Sequence, residues 1–203
     1  MNKISNKLSR VAGIIKRLQN YIPISTLLLI YNSLFVPHLN YSLLAWGYSC
    51  ERISKLQKKA VRLVCKAHYL AHTEPLFNKL SILKITDLLR LKALKFYYRY
   101  CQDQVPGYFQ NMFTVTPTAH SYNTRFRDVP RMPLPVRNST MNTLRFYIPA
   151  LVNETSTNIL DKIHTHSYFG YSSYAKLTFV NQYSDICNIP DCYVCMSRHD
   201  SSA

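Results

Sequence analysis

Residues 27–46, LLLIYNSLFVPHLNYSLLAW, run for twenty positions without a formal charge. Such a length would reach across a bilayer, for which about 20 consecutive apolar residues suffice. Asn32, Ser33, Pro37, His38, Asn40 and Ser42 interrupt the run, however. Pro37 lacks a backbone donor and its ring crowds the preceding turn, so two shorter segments are expected, about 24–35 and 38–47, rather than one spanning helix. The stretch is expected to be core, with no membrane as partner.

The elements that share this core are visible as helical periodicity. In KISNKLSRVAGIIKRLQNYIP, Ile4, Leu8, Val11, Ile15 and Leu18 fall on one face, Lys3, Lys7, Arg10 and Arg17 on another, and Pro23 ends the pattern. In SCERISKLQKKAVRLVCKAHY, Ile53, Leu56, Ala60, Leu63 and Val64 form an apolar stripe over a helix of about 51–67. Thr73, Glu74 and Pro75 suit a helix start, with Thr73 as the capping residue. Thr86 and Asp87 open TDLLRLKALKFYYRYC, whose apolar face is Leu88, Leu91, Leu94 and Tyr98. Past Pro106 the prolines at 117, 130, 133, 135 and 149 break the pattern, and 141–152 and 172–183 are open to short helix or strand. The expected architecture is mainly α: a basic helical domain over 1–105, then an irregular, proline-interrupted region over 106–203.

Twenty-five Lys and Arg against ten Asp and Glu give a formal charge of +15. Residues 1–100 hold seventeen of these cations and three acids, a net of +14, so the excess lies almost wholly in the first half. A charge of that size calls for an anionic partner. Arg52, Lys55, Lys59, Arg62 and Lys66 recur at steps of three and four along one helix, and Lys92, Lys95 and Arg99 share the far side of another. Like charges so spaced repel each other unless an anion neutralises them, which favours phosphate contact over a merely solvated face.

The remaining candidates lie in the second half. HSYNTRFR interleaves His120 and Tyr122 with Arg125 and Arg127, a mix of rings and cations suited to single strands; Arg125 is equally suited to holding a turn. Cys187, Cys192, Cys195 and His199 supply four possible zinc ligands, and the Cys-x2-Cys pair has a common ligand spacing, although the intervening loop is too short to fold alone. A reduced cysteine cluster is the other reading. No secretory signal is expected, so disulfides are not; the acid-free first fifty residues would also suit a mitochondrial presequence. The other histidines, His38, His68, His72, His164 and His166, stand beside no nucleophile in an arrangement that predicts catalysis.

The phrases NKISNKLSRVAGIIKRLQNYIP, LLLIYNSLFVPHLNYSLLAWG, ISKLQKKAVRLVCKAHYLAHTEPLF and HSYNTR, in this order, resemble the region that follows the palm in reverse transcriptases of non-LTR retrotransposons, the jockey-like group above all. The resemblance is close over about 2–127 and looser to about 195. It implies a helical thumb and its continuation, which close over RNA or an RNA–DNA hybrid, with the rest of the polymerase as a possible partner. It implies that 27–46 is thumb core. The family also carries a pair of aspartates that hold Mg²⁺ for nucleotide addition; this chain has no Asp-Asp pair, so Mg²⁺ would belong to a palm outside it. The expectation is a nucleic-acid-gripping piece of an RNA-directed DNA polymerase, inert alone, in the nucleus or cytoplasm. A stand-alone RNA-binding protein and an inactive retrotransposon relic are the alternatives.

Overall fold

The computed structural model describes residues 2–113, 130–133 and 143–184. The protein is mainly helical, with no β-strand among these residues. Two compact units divide it, Met1–Leu88 with Leu177–Ala203, and Leu89–Lys176.

The first unit is built on α1 (Asn2–Leu18) packed against α5 (Glu51–Val64). Leu8, Val11, Ala12 and Ile15 are buried on α1, and Ile53, Ala60, Val61 and Val64 on α5. Good helix formers fill α5, Glu51 sits in its first turn and Arg62 in its last, so charge and macrodipole agree. Leu56 and Leu63, expected in the buried stripe, lie half-exposed at its margin, and Val61 and Gln57 are buried instead.

Gln57 is a polar side chain in an apolar core, and all its hydrogen-bonding groups are used. Its Nε2 donates to the Tyr31 hydroxyl at 3.1 Å and the Leu83 carbonyl at 2.9 Å, while Oε1 accepts from Ile85 N–H at 2.8 Å. One amide thereby ties three stretches of chain together. Losing it would strand buried donors and acceptors, at about 1–3 kcal/mol for each.

The uncharged run departs from the two segments expected of it. The chain stays helical through α2 (Ile24–Ile30), a π-helical turn (Tyr31–Phe35) and α3 (Val36–Asn40). Val36 N–H bonds to the Tyr31 carbonyl, a five-residue step that widens the turn just before Pro37. Widening there absorbs the proline ring and its missing donor, so the helix passes through. Leu27, Tyr31, Phe35, Leu39 and Leu43 are buried at four-residue steps, and the Tyr31 and Phe35 rings stack at 4.9 Å. The break comes later, at Tyr41 and Ser42, where Ser42 takes a left-handed φ of 48° before α4 (Leu43–Trp46). The Trp46 indole N–H donates to the Tyr41 carbonyl at 2.6 Å across that turn. No described helix is long and apolar enough to cross a membrane.

Helix α6 (Glu74–Lys79) starts at Thr73 as expected, but the Thr73 hydroxyl makes no capping bond. Tyr183, from the far end of the chain, closes this unit. Its hydroxyl donates to Asp87 Oδ2 at 2.5 Å and accepts from Lys84 N–H at 3.0 Å, and Asn78 Nδ2 donates to its carbonyl at 3.0 Å. Lys84 Nζ lies 4.3 Å from the centre of the Tyr183 ring and pairs with Glu74.

The second unit takes in most of α7 (Ile85–Cys101), then α8 (Leu144–Glu154), α9 (Thr157–Thr165) and the start of α10 (Tyr168–Asn181). Of the two stretches that periodicity left open between helix and strand, 144–152 and 172–181 are helical. Pro149 lies inside α8 and is buried, its lost backbone bond offset by the packing of its ring. Tyrosines organise this core: Tyr98 stacks on Tyr171 at 5.1 Å and its hydroxyl donates to the His166 carbonyl at 2.8 Å.

Candidate nucleic-acid interface

With their apolar faces buried, α1 and α5 turn cations outward. Lys3, Lys7, Arg10, Lys16 and Arg17 are all exposed on α1, which contains no acidic residue. On α5 the buried positions centre opposite Arg52, Lys55 and Lys59, which are exposed, and Lys58 flanks them. Periodicity at strict steps of three and four passed over Lys58 and Lys16, yet exposure places both with the others.

The five cations expected on α5 are not equivalent. Arg52 and Lys59 are exposed and make no ion pair among the described residues. Lys55 pairs with Glu51 one turn earlier at 3.0 Å, with side chains 75% and 85% exposed. A pair so open to water is worth little and yields readily to a phosphate. Arg62 is half-buried, and burial holds its guanidinium below the ordinary value. Its Nε donates to the Ala71 carbonyl at 2.7 Å, so this arginine holds a loop as well as carrying charge. Lys66 lies beyond the helix, which ends at Val64 instead of 67, and takes a φ of 53°.

On α7, in the other unit, Lys92 and Lys95 are half-buried and Arg99 is exposed. Burial, with Lys95 as a lesser cause, pulls the Lys92 ammonium below its ordinary value. Lys95 and Arg99 both lie over the Tyr168 ring, at 4.9 and 4.6 Å from its centre. These cations therefore have an intramolecular partner that the sequence pattern did not reveal. Arg125 and the set Cys187, Cys192, Cys195 and His199 lie outside the described residues. Among the described residues no cluster of His, Cys, Asp or Glu could hold a metal ion.

No protein-family model, curated protein or solved structure matches the chain.

Proposed function

We propose that the first unit grips the phosphate backbone of RNA or an RNA–DNA hybrid through the outward faces of α1 and α5. In this reading the chain is the thumb-like part of a retroelement RNA-directed DNA polymerase, acting with a palm carried elsewhere. The observation that carries it is the segregation of charge. Two helices packed together by their apolar faces expose a dense set of cations, against Glu51 as the acid on α5 and none on α1. Contacts of this kind position a backbone without reading its sequence. With no paired aspartates, the chain alone would grip and not polymerise.

The test replaces Arg52, Lys58 and Lys59 together with Gln, which leaves helix propensity nearly unchanged. Affinity for a hybrid duplex should fall alike for every sequence, and the salt slope should shrink by up to about 3, one unit per lost phosphate contact. Replacing Arg131, Arg145 and Lys176, exposed positions of the second unit, provides the comparison and should leave both quantities near wild type. A triple α5 variant that is folded by circular dichroism and binds like wild type would overturn the reading.

A further inference from the structure

The loop that leaves α5 is held at several points, yet it presents an aromatic ring to solvent. Lys66 N–H bonds to the Leu63 carbonyl and Ala67 N–H to the Arg62 carbonyl, a left-handed cap that turns the chain sharply off the helix axis. Arg62 Nε then reaches across to the Ala71 carbonyl at 2.7 Å, and Ala71 N–H bonds back to the His68 carbonyl at 3.0 Å. Ala71 and Thr73 are buried, which anchors the far end. Between these anchors Tyr69 is 73% exposed and Leu70 53% exposed. The His68 ring stands 4.5 Å from the Tyr69 ring, tilted by 47°, and its Nδ1 accepts from Leu70 N–H at 3.3 Å.

We propose that Tyr69, braced by His68, is a stacking platform for an unpaired base of the nucleic acid whose phosphates lie along α5. The assignment rests on the backbone-gripping function proposed above and adds to it a preference for a junction between duplex and single strand. Lys66 is exposed where α5 ends and Arg62 reaches into the loop, so positive charge stands beside the Tyr69 ring and suits the phosphates that flank a base stacked on it. Further back along α5, Arg52, Lys55 and Lys59 supply the positive charge that phosphates require. A ring on a tethered backbone has little motion left to lose when a base settles on it, and stacking on Tyr tolerates any base.

The probes are a fluorescein-labelled RNA–DNA hybrid with blunt ends and the same hybrid carrying an overhang of about four unpaired nucleotides, the lower end of single-strand site sizes. Binding is read by anisotropy. Tyr69→Ala should lose about tenfold in affinity for the overhang hybrid while its affinity for the blunt hybrid stays unchanged. Tyr69→Phe should keep both, since stacking needs the ring and not the hydroxyl. Tyr69→Trp should keep overhang binding and show indole quenching with that probe only. Equal affinities of Tyr69→Ala and wild type for the overhang hybrid would overturn the platform while leaving the phosphate grip intact. Equal losses on both probes would make Tyr69 a general contact and overturn it too. Wild-type protein that binds neither hybrid would overturn the grip and the platform together, which the Arg52, Lys58 and Lys59 variant would show by having no affinity to lose.

Discussion

Ser81 and Asp103 hold left-handed backbone without being glycine, with φ of 51° and 53°, and each closes a helix. After α6, Ser81 N–H bonds to the Asn78 carbonyl and Ile82 N–H to the Phe77 carbonyl; Asp103 and Gln104 repeat the pattern after α7. A Cβ in this conformation is strained, and glycine removes the strain. Ser81→Gly should therefore stabilise the protein by about 1 kcal/mol, and Asp103→Gly by less, because Asp tolerates the left-handed region better. Midpoints in urea denaturation would decide it, and a loss of stability at Ser81 would mean that its hydroxyl matters more than its backbone. Buried phenols provide a second test at this scale. Burial pushes the hydroxyls of Tyr31, Tyr97, Tyr171 and Tyr183 well above the ordinary tyrosine value. Their folded values exceed the unfolded one, so the stability they contribute is complete below about pH 10 and is lost as pH rises further. Unfolding midpoints should hold steady from pH 7 to 9 as far as these groups go, then fall steeply above about pH 10. Phenolate absorbance from these four rings should appear together with unfolding and not before it.

At the scale of elements, α5 is a helix working against itself. Lys55 with Lys59, Lys58 with Arg62, and Arg52 with Lys55 all sit at steps of three or four, and each such like-charge pair costs about 0.2–0.5 kcal/mol. Screening should recover part of this. Raising NaCl from low salt to about 0.5 M, where the Debye length falls to a few ångströms, should raise the melting temperature. The Arg52, Lys58, Lys59 to Gln variant should melt higher at low salt and respond less to NaCl. Equal salt responses in the two proteins would place the repulsion elsewhere. Apolar periodicity made α1, α5 and α7 visible in the sequence, because their buried positions recur at helical steps. Their ends were harder to see. The chain has four glycines, and the left-handed caps fall on Lys66, Ser81 and Asp103 instead, so the usual stop signal is missing. Pro37 misled in the opposite direction, since a π-turn that no local pattern announces carries the helix through it. Basic spacing pointed to the cations of α5, but it could not distinguish Arg52 and Lys59 from Arg62, whose carbonyl partner comes from a later loop.

On the scale of the whole molecule, the first unit is discontinuous, and Tyr183 is where its far segment is fastened. Its partners at Phe77, Asn78, Lys84 and Asp87 lie about a hundred residues earlier, beyond the reach of any local sequence signal. Helical periodicity, which fades near 105, carries no trace of pairings over such a span. Two substitutions separate the parts of the anchor. Tyr183→Phe keeps the ring against Phe77 and Lys84 but leaves Asp87 and the Lys84 N–H without the hydroxyl, at a cost of about 1–3 kcal/mol. Tyr183→Ala also empties the ring's place in the core and should cost about 3–5 kcal/mol. The single tryptophan, Trp46, belongs to the first unit, so its fluorescence during urea unfolding reports on that unit. Both variants should shift the Trp46 transition to lower urea, Ala further than Phe. If the transition stayed in place while far-ultraviolet circular dichroism lost helix, the 177–184 segment would be a passenger on the first unit, and the unit's integrity would rest on α1 and α5 alone.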